Sequence, residues 1–221
     1  MLAREILIDI IPPLKINDTI QKALDYMSEF KVQHLPVVED NILTAIVSED
    51  EMIELSANQL ISETVKNNYP ITVFQNQHYY DVVKLMSENN LTLIPVVSDS
   101  TLRYLGAITL QTLAKYQAKT RALAEPGGIL IINCGLHDYS LSEIARIIES
   151  EDVIILSSYI TSELGARLLE ITFKLNRTDL SSVIASLERF NYQIVASYHQ
   201  PTINSNSMER YESFMTYLNL K

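Results

Sequence analysis

The side chains able to do chemistry are thinly spread along this chain. Its four histidines stand at positions 34, 78, 137 and 199, and its single cysteine at 134. Neither among themselves nor with Cys134 do they show a metal-ligand spacing. There is no phosphate-binding G-x-x-x-x-G-K-[ST] loop, no G-x-G-x-x-G, no G-x-S-x-G and no H-E-x-x-H. Cys134 closes an apolar run, where a thiol packs as a small hydrophobe rather than attacking a substrate. One cysteine also rules out an intrachain disulfide framework. These residues point away from catalysis and toward binding. Two hydroxyls, Ser48 and Thr109, each end an apolar run and open a helix. Ser48 precedes Glu49-Asp50-Glu51, an acidic first turn of the kind a helix dipole favours.

The elements that position these hydroxyls occur twice. His34-Leu35-Pro36-Val37-Val38-Glu39-Asp40 returns as Leu93-Ile94-Pro95-Val96-Val97-Ser98-Asp99. Each copy reads as a strand entered through a proline, whose missing N–H suits the first position of a strand. Upstream, Ile20, Ala23, Leu24 and Met27 fall at helical spacing, and so do Tyr79, Val82, Val83 and Met86. Met27 and Met86, like Pro36 and Pro95, are 59 positions apart. Further on, Ala45-Ile46-Val47-Ser48 answers Gly106-Ala107-Ile108-Thr109 at an offset of 61. The two extra residues fall in the connection around 98–104, where a hairpin loop absorbs them. One supersecondary unit is used twice, and two copies suit a pseudo-twofold pair better than a solenoid.

Helix, then h-P-V-V-x-D, then a second strand ending G-h-h-[ST], then a short helix, resembles the CBS domain (cystathionine-β-synthase type). Two in tandem form a Bateman module. The resemblance covers about residues 1–120. It implies a ligand-sensing module, often for adenine nucleotides, which usually dimerises. It also implies site residues. In the family the strand-ending hydroxyl is followed three residues later by an Asp that binds the two ribose hydroxyls. A carboxylate can accept both hydrogen bonds of a cis-diol. In the first repeat Ser48 matches and Glu51 holds the Asp position; in the second Thr109 matches and Thr112 replaces the acid. Pro12 and Val37 are implied near the base slot of the first cleft, with His34 facing phosphate. Pro70 and Val96 are implied near the slot of the second. The alternative assignment leaves Ser48 and Thr109 as helix caps, Glu51 as a first-turn charge and His34 as a packed or surface residue. On the family assignment the ligand is AMP or adenosine, at most one per chain, in the cleft of Ser48 and Glu51. No cofactor is expected.

The break at Glu125-Pro126-Gly127-Gly128 divides the chain. The CBS pair is expected at 1–124, with repeats at about 1–60 and 61–124, a second domain at 128–200 and a tail at 201–221. Residues 1–10 are expected to dock on the first repeat, and the helix opened by Ser48 to run to about Ala57. The second domain reads β-α-β-β-α-β, the ferredoxin-like split unit, so the fold class is α+β. In it, Leu141, Ile144, Ile147 and Ile148 form one helical stripe, and Thr178-Asp179 caps a second helix. This order resembles the ACT domain, a small-molecule-sensing module. A CBS pair followed by ACT is similar to the acetoin-utilisation-type regulatory proteins of bacteria. The ACT family's loop carries an Asp and then a Gly opening the helix. Here Asp138 and Ser140 stand there, and Ser140 reads more simply as a helix cap. In the tail, Tyr211, Phe214, Met215 and Leu218 share one helical face, docked on their own domain or on a partner subunit.

A formal net charge of -10 weighs against nucleic acid and anionic membranes as partners. No apolar run approaches the ~18 residues of a membrane span, and the N-terminal residues do not read as a signal peptide. The expectation is a cytoplasmic, non-catalytic regulatory homodimer that binds a small adenine ligand and acts on an unidentified target protein. Two rivals remain open: a structural or protein-interaction module whose clefts bind nothing, and an enzyme of unrecognised type.

Overall fold

The repeat is built twice with matching hydrogen bonds. A computed structural model describes residues 1–65, 69–161 and 167–199; the expected helix at 208–218 lies outside the described residues. The first copy consists of α1 (Ile20–Phe30), the antiparallel hairpin of β1 (His34–Glu39) and β2 (Ile42–Ser48), and α2 (Glu49–Met52). The second consists of β3 (Val73–Phe74), α3 (Tyr79–Glu88), β4 (Leu93–Val97), β5 (Tyr104–Thr109) and α4 (Leu110–Thr120). Ile20, Ala23 and Met27 are buried from α1, and Tyr79, Val82 and Met86 from α3. Leu14 bridges Val37 in parallel register as Val73 pairs with Val96. The Glu49 N–H donates to the Gln33 carbonyl at 2.8 Å, and the equivalent Leu110 N–H to the Thr92 carbonyl at 3.1 Å.

Local chemistry fixes the ends of these elements. Thr19 caps α1 by accepting the Lys22 N–H, and Lys31 closes it in the left-handed region at φ 56°. The β1–β2 turn is Asp40-Asn41, both at positive φ, as a tight hairpin demands of residues that tolerate it. The helix opened by Ser48 ends at Met52, short of the expected Ala57. The reason lies in α1, whose first N–H groups lack intrahelical partners. Residues 57 and 59 leave helical geometry to serve them: Gln21 N–H donates to the Ala57 carbonyl at 3.0 Å and Ile20 N–H to that of Gln59 at 2.9 Å.

The segments leading into the two repeats are exchanged. Residues 1–8 dock on the second repeat, not the first. Ala3 and Arg4, in a 3₁₀ turn at Ala3–Glu5, donate to the carbonyls of Gln77 and Gln75 at 2.9 and 3.0 Å. A matching 3₁₀ turn at Ile61–Glu63 docks on the first repeat, with Ile61 and Ser62 donating to Asp18 and Ile16, both at 2.9 Å. Ala3 and Ile61 are fully buried in these positions. Apolar spacing alone does not tell which repeat a short segment covers.

These elements belong to the first of two compact units, Met1–Gln117 and Ala118–Lys221. The second unit has β6 (Gly128–Gly135), α5 (Leu141–Glu149), β7 (Ile155–Thr161), β8 (Leu168–Leu175), α6 (Ser181–Arg189) and β9 (Gln193–His199). Its sheet order is β7-β8-β6-β9, antiparallel throughout, which is the ferredoxin-like arrangement. Leu130, Ile132 and Cys134 alternate inward from β6 and meet Ile144, Ile147 and Ile148 of α5 and Val183 and Leu187 of α6. The start of α6 departs from expectation: Leu180 is its N-cap residue, with no side-chain cap, while the Asp179 carboxylate accepts the Ser181 N–H at 3.0 Å.

Candidate functional site

The first repeat lines a cleft of about 760 Å³. Its apolar wall includes Ala45, Val47, Met52, Leu55, Val65 and Ile71. Its polar wall is the junction of β2 with α2. There the chain turns from strand to helix at Ser48, whose Oγ accepts the Glu51 N–H at 3.4 Å. Glu51 reaches back, and its Oε2 accepts the Ser48 N–H at 3.2 Å and the Ser48 hydroxyl at 3.0 Å. This is a reciprocal capping box. Glu51 Oε1 has no hydrogen-bond partner among the described residues.

His34 lines the same cleft. Its Nδ1 accepts the Thr92 N–H at 3.3 Å and lies 3.1 Å from Thr92 Oγ1, which accepts the Gln33 N–H at 2.8 Å. Nδ1 is therefore the acceptor nitrogen, and the ring proton is assigned to Nε2. Burial pushes the His34 pKa below its usual 6.5, against the opposing pull of Asp50 and Glu51. At neutral pH His34 offers an N–H donor and no charge.

The remaining sequence candidates are distributed differently. Pro70, assigned from sequence to the second cleft, lines the first one beside Tyr69. Val37 and Val96 are fully buried in the cores of their own repeats, and neither Val37 nor Pro12 lines the cleft. Thr109 is buried and caps α4: its Oγ1 accepts the Thr112 N–H at 3.1 Å and stands 3.0 Å from the Thr112 hydroxyl. The two threonines satisfy one another where Ser48 and Glu51 leave a carboxylate oxygen over. Gly106 and Ala107 are the counterparts of cleft-lining Ala45 and Ile46. Ile8 pairs with Ala107, and a Cβ on Gly106 would fall 2.8 Å from the Ile8 carbonyl oxygen. Sequence reasoning missed Glu54, Glu63 and Tyr69, which also line the cleft. Glu63 and Tyr69 reach it through the exchange of lead-in segments, for which the sequence carries no signal; Glu54 follows directly on α2.

In the second unit Ser140 is the N-cap of α5, its Oγ accepting the Glu143 N–H at 3.3 Å. Asp138 folds back so that its Oδ2 lies over Gly135, where a Cβ has no room. Burial pushes the Cys134 thiol up, aided by Asp138. Burial also pushes Tyr192 up, to about 12, with Glu143 accepting its hydroxyl at 3.3 Å. Among the described residues no group of three His, Cys, Asp or Glu is placed to hold a metal ion, and no helix is long and apolar enough to cross a membrane.

The sequence profile of the CBS domain matches residues 3–58 and again 63–119, just over half of the chain. The chain belongs to the CBS domain family. The two CBS matches coincide with the two repeats. Among solved structures, a CBS domain pair/ACT domain protein from Thermotoga maritima is 16% identical with a TM-score of 0.48, over 54% of this chain and 98% of that one. The CBS domain pair of protein MJ0100, in complex with 5-methylthioadenosine and S-adenosyl-L-methionine, is 24% identical with a TM-score of 0.45, over 54% and 97%. CBSX2 in complex with AMP is 19% identical with a TM-score of 0.47, over 53% and 96%.

Proposed function

We propose that this chain is a regulatory protein whose CBS pair holds one adenine nucleoside or nucleotide in the cleft of Ser48 and Glu51. The observation that carries the reading is the unused Glu51 oxygen in a cleft with one apolar wall. The capping box fixes the carboxylate, so a ribose diol meets an acceptor already in place, and the apolar wall suits a base. Pro70 adds to that wall, and His34 Nε2 supplies a donor. The second unit is an ACT-like domain, and the protein works as a homodimer, paired through the CBS helices and the exposed β7 edge, as a regulator of the acetoin-utilisation type. Ligand binding biases the shape of that dimer toward or away from a target protein.

Titration calorimetry with adenosine and AMP tests the reading. One site per chain is expected, weakened by Glu51→Ala. Two equal sites, or binding indifferent to Glu51→Ala, would overturn it. Sedimentation at micromolar concentration tests the dimer, and a clean monomer would remove it. A second reading, an interaction module with an empty cleft, draws on the capping box itself: Ser48 and Glu51 already have a structural role. Absence of any adenine binding would put that reading in front.

A further inference from the structure

We propose that His34 and Thr92 form a pH-sensitive catch between the two repeats, closed while the imidazole is neutral and released when Nδ1 takes up a proton. The seam it closes is the contact between β1 and β4. Leu35 and Leu93 are fully buried there in one core cluster. At the end of the seam the groups turn polar. Thr92, from the second repeat, accepts the Gln33 N–H on Oγ1 at 2.8 Å. The same Oγ1 stands 3.1 Å from His34 Nδ1, and the Thr92 N–H donates to that nitrogen at 3.3 Å. An unprotonated Nδ1 thus draws both donors of Thr92 to its lone pair. Gln33 and Thr92 hold equivalent positions, so the entries of the two strands face each other across the pseudo-twofold axis. Leu93 stands where symmetry would put a second histidine, so the related position has no such catch.

Of these groups only the imidazole titrates near neutral pH. A proton on Nδ1 turns the acceptor into a donor. The Thr92 hydroxyl can rotate to accept it, since Oγ1 keeps a lone pair beside the Gln33 bond. The Thr92 N–H is fixed by the main chain and cannot, so two donors then face each other. Thr92 is half-buried, and water replaces the lost acceptor only in part. The charges around the ring act from the other side. On α2, Asp50 and Glu51 favour the imidazolium, against the burial that disfavours it. Glu54, Glu63 and Tyr69 line the same cleft. In its own segment Lys31 stands three residues before the ring and Glu39 five after. Leu91 and Leu93, which flank Thr92, carry no charge. Asp50 and Glu51 lie on the cleft wall, so a charged ring is drawn from the seam toward the cleft. Seam and cleft thereby answer to one proton, whatever the cleft binds.

Nitrogen-15 spectra of the histidine rings in the full chain, read with hydrogen exchange at the Thr92 amide, test this. At neutral pH His34 should carry its proton on Nε2. As pH falls below 6.5, protonation of Nδ1 and loss of Thr92 protection should follow one curve. The amide should then exchange about fivefold faster than its intrinsic pH dependence accounts for, as the loss of one net hydrogen bond implies. His34→Asn keeps an acceptor at the δ position and does not titrate, so it should hold Thr92 protected with no pH step. His34→Leu should leave Thr92 exchanging fast at every pH. A proton already on Nδ1 at neutral pH, a Thr92 amide indifferent to the titration of His34, or a pH step that survives in His34→Asn would overturn the catch. The first two of these readings come from the unmodified protein and decide the matter even where a variant fails to fold.

Discussion

The two repeats share a backbone plan and differ in what stands at the strand–helix junction. In the first, Ser48 and Glu51 form a capping box, and Glu51, which lines a cleft, keeps one carboxylate oxygen without a hydrogen-bond partner among the described residues. In the second, Thr109 and Thr112 close on each other, and Ile8 lies against the strand where the first repeat has cleft wall. His34, beside the first junction, is replaced by fully buried Leu93 beside the second. Duplication preserved the core, where shape constrains both copies, while the junctions were free to part. A pair built this way has two equivalent scaffolds and two different junctions.

The core half of that comparison can be broken with Met27→Ala and Met86→Ala. These residues are equivalent in the repeats and equally buried, each at 2% exposure. Each truncation should cost about 2–5 kcal/mol, and the two losses should agree within about 1 kcal/mol. Native-state hydrogen exchange at the amides of β1 and β4 measures each. A loss confined to one variant would show that the repeats are not equivalent cores.

The junction half is sharpened by Glu51→Ala against Thr112→Ala. Removing a charged acceptor forfeits about 1.5–3 kcal/mol for each hydrogen bond it made to ligand. Adenosine affinity should fall about tenfold to a hundredfold in Glu51→Ala and stay put in Thr112→Ala. Equal losses by calorimetry would mean the second junction also binds. A smaller effect lies in the other unit: Ser140→Ala should cost about 1 kcal/mol as a lost cap and leave every ligand-induced thermal shift unchanged. Loss of a shift induced by an amino acid would give Asp138 and Ser140 a binding role.

The smallest effect separates His34 from Leu93. Because His34 titrates below 6.5 when folded, the unfolded chain binds the proton more readily. Its contribution to stability is complete above the unfolded value and is lost as pH falls through the range beneath it. The same protonation removes the Nδ1 acceptor from Thr92. His34→Leu, which makes the first repeat like the second, should flatten the stability profile in that window. Urea unfolding between neutral pH and about pH 5 checks it, and an unchanged slope would assign the pH response elsewhere.

Much of this was legible in the sequence because repetition is robust to local error. The offset of 59 places Leu14 opposite Val73 and Thr92 opposite Gln33, and the hydrogen bonds follow it. The βαββαβ order and the Ser140 cap were equally readable, since periodicity and capping chemistry are local. The length of α2 was not, because Leu55 continues an apolar pattern while the chain turns away to serve α1. Nor was the lining by Pro70, which depends on the exchange of lead-in segments. The valines of the P-V-V runs read as slot residues on family grounds and are core residues here. A strand packed on both sides hides such side chains, and spacing carries no sign of it.

That exchange also orders events during synthesis. Ile8 pairs with Ala107, and Ala3 donates to the Gln77 carbonyl, so residues 1–8 cannot settle until the second repeat has been translated. The first repeat meanwhile lacks Ile61, a buried part of its core. The first half leaves the ribosome incomplete, and the pair is sealed only as its second half emerges. A cut between the repeats would leave each missing a piece of its interior, so the two should melt and refold as a single cooperative body.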